Sequence, residues 1–271
     1  MHLAALHIHP VKSLRALSVQ SAQVDQAGVA GDRRFMVVDP CGAFLTQRTN
    51  PRMALVGAFL EVDSLVLRCA GLLELRVRRY PDPNASLMKV RIWKSEGLQA
   101  EDCGRAPAEW LSAALGTPCR LVRAGPAFSR SVAGASPENG DTVAFPDAYP
   151  FLVTSEASLG DLNRRLGAES LPMNRFRPNL VVAGCKPYEE DTWKRFRVGG
   201  IVFRAAGPCS RCVIAATDQE TGVRGVEPLR TLAGYRRDPA EPAHVNFGQN
   251  LVHEVKSGIL RVGDPVEILE I

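Results

Sequence analysis

The sequence predicts a β-rich α+β protein in two parts, and three observations lead there. Short alternating apolar runs punctuated by Gly, Pro and Asp fill the chain to about Trp93. Clear helical periodicity is confined to two stretches further on. Regular alternation of strands with helices, which βαβ units need, is absent. At 271 residues the chain lies at the upper edge of one domain or makes two modest ones. It is long enough to bury roughly three quarters of its unfolded surface without disulfide help.

Residues 3–11 alternate loosely and stop at Pro10, a first strand with Lys12-Ser13 at its end. Ser18–Val24 alternates again, Gly28-Val29-Ala30-Gly31-Asp32 is turn chemistry, and Arg33-Arg34 opens a strand over Phe35–Val38. Further strands are expected over Ala54–Val62, Ser64–Cys69, Leu73–Val77, Met88–Ile92 and residues 119–124. The spacing predicts a helix over Ala106–Leu115, with Pro107 in its first turn and Gly116 ending it. A second starts at Ser155, carries Leu159, Leu162 and Leu166 on one stripe, and stops at Gly167. Between them, Gly125–Pro150 is rich in Gly, Pro, Ser and Ala with little periodicity, the pattern of a functional cover. Leu180–Ala183 is an apolar strand entered from Phe176-Arg177-Pro178-Asn179, and Val198–Phe203 is a hairpin whose second strand runs to Cys209. Asp218–Gly222 is a turn, Pro228–Tyr235 a short helix, and Ile259–Val262 and Val266–Ile271 the last strands. The boundary between the two parts falls near Arg123.

Composition narrows the function. Hydrophobic residues make 45% and charged residues 23%, as in an ordinary globular protein, and the net charge of +4 is too mild for a nucleic-acid binder. It leaves room for a local basic pocket facing a small anion. Seven cysteines, of which only Cys209 and Cys212 are closely spaced, argue against a disulfide-stapled secreted fold. Neither a signal peptide nor the ~20-residue apolar run of a membrane helix is visible, so the expectation is a cytoplasmic protein with no membrane partner.

The chemistry converges on Gly207-Pro208-Cys209-Ser210-Arg211-Cys212-Val213-Ile214. Two thiols three positions apart suit zinc, a redox disulfide or a transition metal that prefers sulfur, and Arg211 would favour the thiolate each of these needs. None of the five histidines makes a second pair with a cysteine, which disfavours zinc. The β-branched run Val213–Ala216 after Cys212 is a poor start for a thioredoxin-type helix. Inert packing of both thiols stands about level with these readings on composition alone. Lys12-Ser13, Arg34 and Arg177-Pro178-Asn179 each stand at a strand edge or corner; singly each reads as solvated surface, and their weight comes from their company.

Together, His9–Ser13, Gly31–Phe35, Phe176–Asn179 and Cys209–Cys212 resemble the MOSC family, and within it the amidoxime-reducing components. Further matching pieces include Pro150–Leu162, Tyr188–Trp193, Thr217–Gly222, Glu227–Leu229, Phe247–Gln249 and Val262–Pro265, so the resemblance runs in order from near residue 6 to near residue 269. It implies a MOSC-type β-barrel core with flanking helices over residues 124–271 and an N-terminal β-rich MOSC module over 1–123. Because Lys12 to Arg34 have to reach the pocket of Arg177 and Cys212, the strands of residues 1–34 are expected to join the core. The module then becomes an insertion of about Phe35–Leu121, with the pocket between the two parts.

The resemblance also implies a mononuclear molybdenum on one molybdopterin, a pyranopterin dithiolene, with Cys212 as the single protein ligand to the metal and the catalytic residue. Cys209 corresponds to a residue lining the cofactor. Lys12, Ser13, Arg34, Arg177, Asn179, Ser210 and Arg211 match positions that hold the pterin and its phosphate, and Asp147, Ala148 and Asn250 fall near further contacts. Charge-assisted bonds from the cations would neutralise an anionic phosphate and oxo-metal centre, while Asn179 and Ser13 can serve donors and acceptors of the pterin. The implied activity is reduction of N-hydroxylated compounds such as amidoximes, hydroxylamines and N-hydroxylated bases to amines or amidines. No cysteine follows Cys212, so the expected electron source is a separate protein of ferredoxin, flavodoxin or cytochrome type. The rival reading is a non-catalytic cofactor carrier or sulfur relay, with Cys209 beside Cys212 as the relay.

Overall fold

A computed structural model describes residues 1–132, 141–167 and 170–271. The strands to the first helix are His2–Ile8 (β1), Leu17–Val19 (β2), Ser21–Asp25 (β3), Gly28–Val29 (β4), Phe35–Val38 (β5), Gly57–Leu60 (β6), Ser64–Arg68 (β7), Leu75–Arg78 (β8), Leu87–Ile92 (β9) and Ser95–Asp102 (β10). Helix Arg105–Leu115 (α1) and strand Arg120–Arg123 (β11) follow, then Phe151–Ser155 (β12), helix Glu156–Leu166 (α2) and Leu180–Ala183 (β13). Arg195–Val198 (β14), Ile201–Ser210 (β15), helix Leu229–Ala233 (α3), Asn246–His253 (β16), Gly258–Arg261 (β17) and Val266–Glu270 (β18) complete the chain.

An eight-stranded sheet ordered β18-β14-β15-β16-β12-β13-β1-β2 forms the core, with β17-β3-β4 as a smaller sheet beside it. Strands β1 and β3 therefore pair with strands from the far half, and β2 and β4 extend them at the edges: Leu3 faces Val182 of β13 and Val24 faces Gly258 of β17. Alternation explains the packing once a shift of register between Leu3 and Ala5 is counted. Leu3, Leu6 and Ile8 of β1 point into one apolar core with Phe151, Trp193, Phe196, Phe203 and Leu251. Strands β5, β11, β10 and β9 make a four-stranded sheet and β6, β7 and β8 a three-stranded one, both covering separate cores of the stretch between residues 35 and 123. The protein is thus β-rich α+β, a barrel-like core carrying a second β-rich unit.

Both long helices form where the pattern predicts. Ser155 Oγ accepts from Ser158 N at 3.1 Å and caps α2, Arg164 and Arg165 sit in its last turn, and Gly167 closes it at φ +79°. Its buried Leu162 packs with Phe176, Leu232 and Phe247, and the Phe176 and Phe247 rings stack 3.9 Å apart. Burying each ring contributes about 1.5–3 kcal/mol, and the stack fixes the corner that leads into Arg177.

Three differences from the expected elements have physical causes. The run Ser18–Val24 is broken into β2 and β3, which serve different sheets. Val213–Ala216 is no strand: Ala215, Ala216 and Thr217 donate backbone bonds three residues back, to Cys212, Val213 and Ile214. The fold overrides β propensity there because Ala215 must turn into the Phe176–Phe247 cluster. Strand β16 went unread, since its core Asn-Phe-Gly-Gln-Asn mixes polar and apolar residues without a clean period; the sheet pairs it on both sides, so even polar positions are buried.

Within β16, Gly248 has φ +80° and a Cβ there would meet Val153 O at 2.5 Å. Gly248→Ala is expected to cost about 1–3 kcal/mol in urea unfolding. An unchanged midpoint would contradict this account of how β16 seats against β12.

A basic cavity at the cysteine loop

The end of β15 and the turn after it deliver Cys209–Cys212 to a cavity of about 330 Å³. Lys12, Ser13, Asp147, Ala148, Arg177, Asn179, Cys209, Ser210, Arg211, Cys212 and Asn250 all line it, so eleven of the twelve expected residues converge from five chain segments. Arg34 does not. Its guanidinium turns away to Asp25 Oδ1 at 2.6 Å, and Arg33 lines the cavity in its place. Neighbouring residues entering a strand point to opposite sides, so only one of the pair can face inward.

The wall is organised by a buried carboxylate. Asp32 is 5% exposed and its Oδ1 accepts from His9 N at 2.7 Å and Asn179 Nδ2 at 3.1 Å, while Oδ2 accepts from Arg33 Nη1 at 2.5 Å. Asn179 is 0% exposed and its amide is already committed: Nδ2 also donates to His7 O, and Oδ1 accepts from Leu152 N. These bonds make it part of what knits the wall together. Burial, helped by Arg177 and Arg33, pushes His9 well below its ordinary value, which keeps the ring neutral between these cations.

Asp147 is the counter-ion on the opposite side. It pairs with Lys12 Nζ and accepts from Arg48 Nη2 at 2.9 Å. Burial would raise its carboxyl, but Lys12 and Arg48 outweigh that and hold it well below the usual carboxylate range. Arg130 fixes this loop by donating to Pro146 O and Asp147 O, both at 2.6 Å. The expected cover thus contributes a wall tied down at residues 146–147; its residues 133–140 lie outside the described residues.

Positive charge outruns its partners. Arg211 donates from Nη1 to Cys209 Sγ at 2.9 Å and from Nη2 to Phe176 O at 2.5 Å, leaving Nε buried without a partner among the described residues. Arg177 Nη2 is also buried and unpartnered there. Burial, then the nearby Arg33, lowers Arg177 to about 9, and burial lowers Lys12 to about 8 against the pull of Asp147. A cavity that disfavours its own cations is built to receive an anion.

Backbone strain gathers at the same place. Five non-glycine residues hold left-handed φ among the described residues; Ser13, Arg33 and Arg177 line the cavity, and a fourth, Trp93, lies under Arg48. Each costs roughly 1–3 kcal/mol, and such strain persists where the surroundings over-determine a functional geometry. Cys212 is half-buried at the cavity wall, next to the Arg48 guanidinium. Among the described residues no three His, Cys, Asp or Glu side chains gather around a point.

Sequence reasoning missed Arg33 and Arg48. The first was masked by its neighbour; the second sits in Thr46-Gln47-Arg48, where nothing in the pattern distinguishes it from surface. The expected position between the two parts needs correction too. Arg48 is the sole lining residue from the Phe35–Leu121 stretch, so the cavity belongs mainly to the core sheet and the chain's first strands.

Comparison with known proteins places these residues in a wider group. Residues 1–118 match the MOSC N-terminal beta barrel domain and residues 140–267 the MOSC domain. The chain is 38% identical over 282 residues to mitochondrial amidoxime-reducing component 1 of Mus musculus, an alignment covering 98% of this chain and 82% of that protein. It is 36% identical to the Homo sapiens component 1, over 98% of this chain and 82% of the relative. Mitochondrial amidoxime reducing component 2 of Bos taurus is 36% identical, over 97% and 82% of the two chains.

The lowered Lys12 has a measurable consequence. Between about 8 and the ordinary 10.5 the unfolded chain holds a proton that the folded chain has shed, so this group's penalty falls and its contribution to stability rises with pH. Ligand-free wild type should gain stability relative to Lys12→Met across that window, read by urea unfolding at several pH values. Parallel curves for the two proteins would refute the burial of that charge.

Proposed function

The chain belongs to the MOSC-domain family that includes the amidoxime-reducing components, and we propose that it is a molybdenum-cofactor-dependent reductase of N-hydroxylated compounds. The observation that carries this reading is the half-buried Cys212 thiol set in a cavity with more positive charge than its carboxylates balance. The donor set fits the group. Lys12, Arg33, Arg177 and Arg211 suit the phosphate and polar edge of one molybdopterin, and Cys212 suits a metal that prefers sulfur. When bound, the molybdenum would supply two-electron chemistry at an open coordination face.

The protein's own residues have defined work in this scheme. Arg177 gains a partner for its orphaned Nη2 when an anion enters, and the neutral Lys12–Asp147 pair holds the opposite wall without adding net charge. Asn179 and Asp32 keep the wall from yielding as charge arrives. The reaction balances as an N–OH group taking two electrons and two protons, breaking its N–O bond and giving N–H and water. The electrons are supplied by a separate electron-transfer protein of ferredoxin, flavodoxin or cytochrome type. Seven free cysteines accord with a reducing compartment such as the cytoplasm, and no helix among the described residues is long and apolar enough to cross a membrane.

The test is Cys212→Ser, purified from cells that make the cofactor, with molybdenum content and benzamidoxime reduction by a chemically reduced viologen both measured. Loss of reduction to background is expected. Undiminished turnover in the variant would end the assignment, and a wild type that holds molybdenum without any turnover would favour the carrier reading instead.

A further inference from the structure

Arg48 is held with more care than a surface arginine needs. Gln47 and Gln219 exchange side-chain amide bonds in both directions, at 3.1 and 3.0 Å, and Gln47 Nε2 also donates to Ser13 O at 2.8 Å. Arg224 donates to the carbonyls of Gln47 and Arg48, at 2.5 and 3.1 Å. These bonds pin the Thr46–Arg48 loop of the inserted unit onto the turn that follows Cys212. The guanidinium carbon then sits over the Trp93 ring, 4.7 Å from its centroid, and the group bonds Asp147 Oδ2 at 2.9 Å and Thr46 Oγ1 at 3.4 Å.

An arginine carries five N–H donors. Two serve those oxygens, so others remain without an oxygen partner among the described residues, in the cavity wall and beside the Cys212 sulfur. The Trp93 ring and the bonds to Asp147 and Thr46 hold the fork before any ligand arrives, which is the arrangement of a preorganised donor.

We propose that Arg48 is the substrate-side cation of this site, donating hydrogen bonds to the hydroxyl oxygen of the N-hydroxylated substrate as its N–O bond breaks. This rests on the functional reading above. The two electrons come from the donor protein and the two protons from solvent; Arg48 keeps its own protons and stabilises the oxygen while negative charge grows on it, before it leaves as water. Asp147 is the positioning partner that keeps the fork in place, and Lys12 holds Asp147 from behind.

The experiment compares wild type, Arg48→Ala and Arg48→Lys, with the exposed Arg52→Ala as control, each purified with its molybdenum content measured. Benzamidoxime binding is read calorimetrically on the oxidised, loaded proteins without electron donor, and kcat and KM are read with reduced viologen. Loaded Arg48→Ala should bind benzamidoxime about 10-fold more weakly and lose about 100-fold in kcat/KM, with guanidinium chloride at millimolar levels restoring part of kcat. Arg48→Lys keeps the charge but not the planar fork, and should load metal while losing about 10-fold in kcat. Arg52→Ala should match wild type. Loaded variants within twofold of wild type in both binding and kcat would overturn the proposal. So would loss of molybdenum in both variants, which would make Arg48 a brace for the cofactor. A wild type that turns over nothing sinks the functional reading first, and this inference with it.

Discussion

The carboxylate of Asp32 is the constraint on which the rest of the site depends. It is buried, yet it gathers His9 N, Asn179 Nδ2 and the Arg33 guanidinium, and Asn179 lies 147 positions away from it in the chain. Removing one partner of such a buried charge typically costs 3–5 kcal/mol, because the remainder is left uncompensated in a dry interior. That penalty is what makes the arrangement specific. In this pairing of the first strands with β13, Lys12, Arg33 and Arg177 all reach one cavity. The left-handed backbone at Ser13, Arg33 and Arg177 lies around the same cavity.

The cavity itself is a compromise between stability and binding. Burying Lys12, Arg177 and Arg211 with fewer carboxylates than cations raises the free energy of the ligand-free protein, as the lowered values for Lys12 and Arg177 record. An anion that pairs with them recovers that cost, so tight binding and a reluctant empty state are two sides of one charge imbalance. Asp147 moderates it. Shared between Lys12 and Arg48, it keeps one wall near neutrality and leaves Arg177 and Arg211 on the other to supply the attraction.

Much of this could be read from the residues, and the reasons for the exceptions are physical. Ser155 and Gly167 marked both ends of α2, and the apolar runs marked most strands, because caps and alternation are local signals. Cys212, Lys12, Arg177 and Asp147 were found through an ordered resemblance whose parts are each weak. Arg34 was chosen over Arg33 because no local rule says which of two adjacent arginines turns inward; Asp25 and Asp32 decide it in three dimensions. Arg48 was invisible because its role comes from Gln219, Arg224 and Trp93, none of which is its neighbour in sequence. Strand β16 was missed since a strand buried on both sides by partners need not alternate.

The strand order carries a consequence for how the protein is made. His2–Ile8 is made well before its partner Leu180–Ala183, and Ser21–Asp25 well before Gly258–Arg261. At about 5–20 residues per second, apolar edges that include Leu3, Leu6 and Ile8 stay without their partners for many seconds. The inserted β-rich unit between them can collapse on its own contacts while the outer strands wait, a long-range closure that is slow by topology. A change in the strands before residue 30 therefore acts on this waiting interval as well as on the finished fold.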